Sequence, residues 1–224
     1  MRRPVQTSLW PEVVADRPIG PIVGSVQQGS NADLIATIAP LYLTGEVCDL
    51  TYGLGRWWDR YRPAGLVCHD LDPDKGDGVD FTALPEPDDS YDAVTFDPPY
   101  VPAGGYLTST RRLDYRDRFG LIQRSQAELV DLWRAGLTEA ARVSRRWVLV
   151  KCGDYVSGTA LVLGHRVMLD LADELGLICW DLIVHWSGSG PGGHNIVDVL
   201  RARRQHSYLL VLRHRGPRSG VPHR

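Results

Sequence analysis

The chain has 224 residues, 43% of them hydrophobic, which is enough for a single domain with a buried core. No apolar run approaches the roughly 20 residues that cross a bilayer, and no signal-peptide apolar segment follows Met1, so a cytoplasmic protein without membrane contact is expected. Net charge is only −2, but residues 201–224 hold seven Arg and no acid; the 18 basic and 27 acidic residues of the first 200 leave that part at −9. Such segregation fits either a polyanion-binding edge or a solubilising tail.

Residues 1–25 contain Pro4, Pro11, Pro18 and Pro21 without sustained periodicity. They read as an extended arm before a domain over 26–213, with a basic tail over 214–224. Ser30 and Asp33 mark a helix start, and Leu34, Ile35, Ile38 and Leu41 or Tyr42 give the helix one apolar face. Pro40 ends or kinks it. A short strand from Glu46 then runs through Asp49 into a turn over Thr51 with Gly53 and Gly55, and Trp57–Tyr61 reads as a helix. Glycines let a backbone approach a ligand closely, and a helix start favours polar or anionic groups. Taken alone, the glycine pair fits a tight structural turn equally well.

Leu66–Cys68 is a second strand, followed by His69, Asp70, Leu71, Asp72 and Pro73. Open α/β sheets bind ribose hydroxyls with a carboxylate at such a strand end. Asp70 ends the apolar run, whereas Asp72, before Pro73, reads as turn chemistry. Val79–Thr82 is a third strand–acid unit, containing Asp80 and Phe81. The fourth comes after Tyr91–Phe96, whose alternation and β-branched content make a strand entering a core. Asp97-Pro98-Pro99-Tyr100 must stop that strand, because neither proline has an N–H to donate to a ladder. An acid, carbonyls without competing donors and an aromatic face are thereby fixed at a strand's carboxyl end. A planar base stacked on Tyr100 would have its amino group within reach of Asp97 and the Pro98 carbonyl.

Residues 101–124 are polar and irregular, with Tyr106, Arg111, Arg112 and in all five Arg against two Asp. Cations interleaved with rings suit phosphate contact and base stacking, and equally a solvated loop. Ser125–Glu128 is a capping box before a helix with Leu129, Val130, Trp133, Leu137, Ala140 and Ala141 on its core face. Trp147–Cys152 is a buried strand, a helix covers about 160–175, and Leu177–Trp186 and His206–Arg213 are strands joined by a glycine-rich connection. Cys48, Cys68, Cys152 and Cys179 lie in separate apolar segments and read as reduced core residues. His185, His194 and His206 have no metal-ligand spacing, and no metal is expected.

The Asp-Pro-Pro-Tyr stretch resembles the motif of S-adenosylmethionine-dependent methyltransferases that modify exocyclic amino groups of nucleic-acid bases. The turn from Asp49 through Gly55 is similar to that family's cofactor loop, although Asp49-Leu50-Thr51 stands where the family usually has Asp-Pro-Phe. Val79–Thr82 resembles the segment that binds the cofactor's adenine, and the last two strands resemble the antiparallel pair that closes the family's sheet. The resemblance spans about residues 28–213 and implies a Rossmann-like class I methyltransferase fold, a seven-stranded, mostly parallel sheet with one antiparallel strand and helices on both faces. It implies S-adenosylmethionine as cofactor, held by Asp49, Thr51, Gly53, Gly55, Asp70, Leu71, Asp80 and Phe81. Asp97, Pro98 and Tyr100 are the implied catalytic residues, and Pro99, Tyr106, Arg111 and Arg112 the implied substrate contacts. The order, cofactor loop before Asp-Pro-Pro-Tyr, looks most like the DNA enzymes that modify adenine N6 or cytosine N4. RNA base modification and a non-catalytic, cofactor-binding partner subunit are the rival readings. A chain this short has no room for a large target-recognition domain, so the loops, the basic tail or a partner protein must recognise the target.

Overall fold

The computed structural model describes residues 22–99, 125–157, 160–188, 202 and 204–215. Tyr100, Tyr106, Arg111, Arg112 and the rest of 101–124 lie outside these residues, as do 1–21, 189–200 and the tail from 216.

Nine strands and three helices are assigned among the described residues. In chain order they are β1 (Val26–Gln28), α1 (Asn31–Tyr42), β2 (Glu46–Asp49), β3 (Gly65–Cys68), β4 (Tyr91–Phe96), α2 (Gln126–Val143), β5 (Ser144–Cys152), β6 (Tyr155–Ser157), β7 (Ala160–Val162), α3 (Gly164–Glu174), β8 (Leu177–Trp186) and β9 (His206–His214). Strands β6 and β7 form a separate small hairpin. The other seven make one sheet in the order β3-β2-β4-β5-β9-β8-β1. All neighbours pair parallel except β9, which runs antiparallel to both β5 and β8. Chain order reverses between β2 and β4: β3 lies outside β2, while β5 lies beyond β4. A crevice at the carboxyl edge is therefore expected between β2 and β4.

Because successive side chains in a strand face opposite ways, each central strand feeds two cores. Val94, Phe96, Val148, Val150, Leu210 and Leu212 face α2 and α3, which cover them with Leu129, Trp133, Leu137, Met168 and Leu171. Val47, Ala93, Trp147, Leu149, Leu209 and Val211 face α1 and the tryptophan pair Trp57 and Trp58. Both long helices start where the sequence places a cap. Ser30 and Asp33, and Ser125 and Glu128, form reciprocal capping boxes that satisfy backbone donors at each first turn. Pro40 does not end α1, which continues to Tyr42; Tyr42 is buried and Leu41 is exposed.

Three expectations need correction. Val79–Thr82 is not a strand: Asp80 instead accepts the Thr82 N–H and hydroxyl in a local turn. The seventh strand is β1 at the opposite edge, where Val26–Gln28 pair with Val184–Trp186. Residues 57–61 form no α-helix either; a single 3-10 turn covers Arg56–Trp58, and Pro63 shortly follows without an N–H to extend it. Cys179 is exposed rather than part of a core, whereas Cys48 and Cys152 are buried. Among the described residues no helix is long and apolar enough to cross a membrane.

Candidate active site

The carboxyl ends of β2 and β4 carry the two acids at the reversal point. Asp49 is the last residue of β2 and is buried. Its Oδ2 accepts the Trp58 indole N–H at 2.7 Å and its Oδ1 the Thr51 N–H at 3.1 Å. Burial outweighs these two donors and pushes its carboxyl up to about 6, with the charge of Asp97 adding to the rise. The chain then turns through Gly53 and Gly55, both at positive φ. A Cβ on Gly55 would lie 2.5 Å from the Tyr52 hydroxyl, so this turn needs glycine for space as well as for backbone angle.

Asp70 follows β3 and bends back onto the same turn. Its Oδ2 accepts the Gly53 N–H at 2.7 Å, and its Oδ1 accepts the Asp72 N–H at 2.9 Å. Each oxygen keeps a second lone pair for a hydroxyl. Asp72 pairs with Lys75 and caps the Asp74 N–H, the turn role expected of it. Leu71, beside Asp70, is exposed at 62% and offers an apolar surface there. Asp80 is exposed, and Phe81 turns inward, its ring edge-on to Phe96 with centroids 5.1 Å apart.

Asp97 leaves β4 directly into this turn. Its backbone N–H donates to Thr51 Oγ1 at 2.8 Å, tying the acid to the β2 loop. Thr51 thus fixes Asp97, a role its position in the glycine loop did not announce. Pro98 is buried, and the Pro99 carbonyl accepts the Trp133 indole N–H of α2 at 2.8 Å. Held from both sides, the Asp-Pro-Pro segment leaves Asp97 Oδ1 buried without a hydrogen-bond partner among the described residues. A buried acceptor without a donor is costly, which suits an atom that receives one from a ligand. Burial raises the Asp97 pKa; the charge of Lys151 and a hydrogen bond from Trp57 oppose it.

The reversal point, the glycine turn after β2 and the single antiparallel strand in a seven-stranded sheet identify the architecture. This is the Rossmann-like class I methyltransferase fold. A candidate methyltransferase from Bacillus halodurans C-125 superposes with a TM-score of 0.52 at 14% identity, over 83% of this chain and 99% of that one. A candidate RNA methyltransferase from Pyrococcus horikoshii gives 0.48 at 14% identity, over 82% of each chain. A candidate DNA modification methylase from Thermus thermophilus, in complex with S-adenosylmethionine, gives 0.35 at 18% identity over 61% of this chain and 51% of that one. The present chain spans about half the length of the Thermus thermophilus chains it matches. No family model and no curated protein matches the sequence. At 14% identity the Bacillus halodurans match bears on the fold alone.

The structure thus brings Asp49, Thr51, Gly53, Asp70 and Asp97 together at one edge, with Pro98 and Pro99 beside them. Three further residues, Lys151, Asn31 and His185, reach the same edge without having been singled out in the sequence as part of a site. Lys151, near the end of β5, is buried and donates to Asn31 Oδ1 at 2.7 Å. His185, on β8, is buried and its Nε2 lies 2.9 Å from the Gly29 carbonyl. The available signal for Lys151 was a lone charge inside the apolar run Trp147–Cys152; the other two carried none.

Proposed function

We propose that this chain is an S-adenosylmethionine-dependent methyltransferase acting on an exocyclic amino group of a nucleic-acid base, adenine N6 or cytosine N4 in DNA. One observation carries the reading: Asp97 stands at the reversal point, pinned through its N–H to Thr51, with a buried oxygen awaiting a donor. The residues present also fit the cofactor. Asp49 and Asp70 offer carboxylates to a cationic, hydroxyl-rich nucleoside, the glycine turn admits close backbone approach, and Leu71 offers an apolar surface beside Asp70. S-adenosylmethionine supplies an electrophilic methyl group on a positively charged sulfur.

An exocyclic amine is a poor nucleophile because its lone pair is delocalised into the ring. Asp97 and the Pro98 carbonyl would each accept one of its N–H groups, which localises the lone pair along the remaining direction and stabilises the charge developing on nitrogen. Trp133 fixes the next carbonyl and Thr51 fixes Asp97, so both acceptors are aimed before substrate arrives. Tyr100 would stack on the base, and the Arg of 101–124 and of the tail would meet phosphates. A base in a duplex must first be flipped out, at a cost of a few kcal/mol that stacking would partly offset.

The test is incubation with methyl-labelled cofactor and duplex DNA, single-stranded DNA or RNA, followed by digestion and mass spectrometry of the modified nucleoside. N6-methyladenine or N4-methylcytosine from DNA is expected. Asp97→Ala should lose transfer while remaining folded and binding the cofactor. Near-normal turnover by that variant, or transfer only to a small amine, overturns the reading.

A further inference from the structure

Asp97 and Lys151 are neighbours by register. Strands β4 and β5 are parallel and pair Phe96 with Val150, so Asp97 and Lys151 each stand one residue beyond the last registered pair, within electrostatic reach of one another. Alternation turns both away from the core that holds Phe96 and Val150, toward the face covered by α1 and Trp57. Trp57 is near both: its ring is 5.9 Å from Lys151 Nζ, and its hydrogen bond opposes the rise in the Asp97 pKa. Lys151 is buried among core side chains, yet its head is aimed, donating at 2.7 Å to Asn31, the first residue of α1. A buried ammonium with this much fixed geometry costs stability by desolvation, and a hydrophobic residue of similar size would pack the same face more cheaply.

The groups around the pair define what Lys151 must counter. Asp49 on β2 presents a second carboxylate to Asp97, and Cys152 on β5 lies within electrostatic reach of both Asp97 and Lys151. His185 on β8 lies within electrostatic reach of Lys151 and of Asp33 on α1. Burial favours a protonated Asp97. Among these groups Lys151 is the base that opposes it: burial lowers the Lys151 pKa, and the charge of Asp97 works against that fall just as Lys151 works against the rise at Asp97. A protonated Asp97 has an oxygen that donates, and an amine's N–H then meets one acceptor fewer.

We propose that Lys151 is a positioning residue for Asp97: its ammonium, aimed by Asn31, holds that carboxylate in the ionised, acceptor-only form a substrate amine requires. The N-terminal β1–α1 segment therefore completes the site from the opposite side of the sheet order, through Asn31. This deepens the methyltransferase reading and rests on it for its purpose, though the electrostatic pair itself does not.

The experiment titrates Asp97 in the cofactor-free full chain by carbon-13 NMR of carboxyl-labelled aspartate, with Asp97→Asn assigning the resonance. Lys151→Met keeps the length and removes the charge. Its Asp97 midpoint should rise by at least about one pH unit, a tenfold change in ionisation, as expected when a neighbouring opposite charge is lost. Lys151→Arg should stay closer to wild type. Asn31→Ala, which releases the ammonium without touching Asp97, should move the midpoint the same way by less, and it carries the test alone if Lys151→Met does not fold. An unmoved midpoint in a folded variant overturns the proposal. In parallel, the acid limb of the methyl-transfer rate should shift to higher pH with the titration. A shifted titration with no transfer to any nucleic acid leaves the pair standing and removes the methyltransferase reading; transfer with an unmoved midpoint removes Lys151 alone.

Discussion

Thr51 shows how one hydroxyl joins two motifs that lie 46 residues apart. It sits in the glycine loop, yet its oxygen accepts the Asp97 N–H. Thr51→Val keeps the shape and strands that donor, a loss of roughly 1–3 kcal/mol. A displaced Asp97 should cut methyl transfer by about 100-fold, while Thr51→Ser, retaining the hydroxyl, should recover most of it; equal turnover in both variants would remove Thr51 from the site. Asp49 gives a prediction in pH. Its folded carboxyl lies near 6, above the ordinary value, so protonation favours the folded state. The stability it contributes is fully present below about pH 4 and is lost as pH rises through about 6, on the order of 3 kcal/mol. Urea unfolding of wild type and Asp49→Asn should therefore diverge across that window, the wild type losing stability relative to the variant as pH rises. Parallel curves would show that Asp49 is not buried as an acid.

At the scale of elements, α2 positions the site from the far face. Trp133 holds the Pro99 carbonyl, and one turn later Gly136 lets the helix close onto Phe96 and Phe81. A Cβ on Gly136 would lie 2.4 Å from Phe96 Cζ and 2.8 Å from Phe81 Cδ2. Gly136→Ala gains helix propensity of about 1 kcal/mol, but Phe96 directly precedes Asp97 and its ring is fully buried, so there is no room to yield. Overpacking should win, with a net loss of about 1–3 kcal/mol in chemical denaturation and reduced turnover as β4 shifts. A variant at least as stable as wild type would mean that the helix, and not the aromatic pair, gives way.

Across the whole molecule, charge is divided more sharply than chemistry on a small substrate requires. The segment 101–124 and the tail 201–224 hold twelve Arg against two Asp, while the chain as a whole is at −2. If these cations meet phosphates, the logarithm of nucleic-acid affinity should fall with the logarithm of salt at about −0.9 per contact on duplex DNA, or about −0.7 on single strands. Arg111→Ala with Arg112→Ala should flatten the slope by up to about two contacts and leave cofactor affinity alone. Binding that ignores salt would sink the nucleic-acid substrate without touching the cofactor site.

The sequence determined what local chemistry controls. Capping boxes at Ser30 and Ser125, the alternation of Tyr91–Phe96 and the two prolines that must end that strand act over a few residues, and each is found where expected. The fold class followed from the resemblance that the Asp-Pro-Pro-Tyr and glycine-loop motifs carry. Tertiary structure decided whatever depends on neighbours distant in the chain. Val79–Thr82 has a strand's composition, but no sheet strand pairs with it among the described residues, and Asp80 captures the Thr82 donors locally; the three-residue β1 pairs instead because β8 offers an open edge. Trp57 and Trp58 read as a helix, and become indole donors because Asp49 and Asp97 lie buried beside them. Lys151 is one residue of a strand until register sets it against Asp97 and a helix start 120 residues earlier aims it. A charge's meaning in a dry interior is fixed by what shares that interior, and only the folded chain brings those groups together.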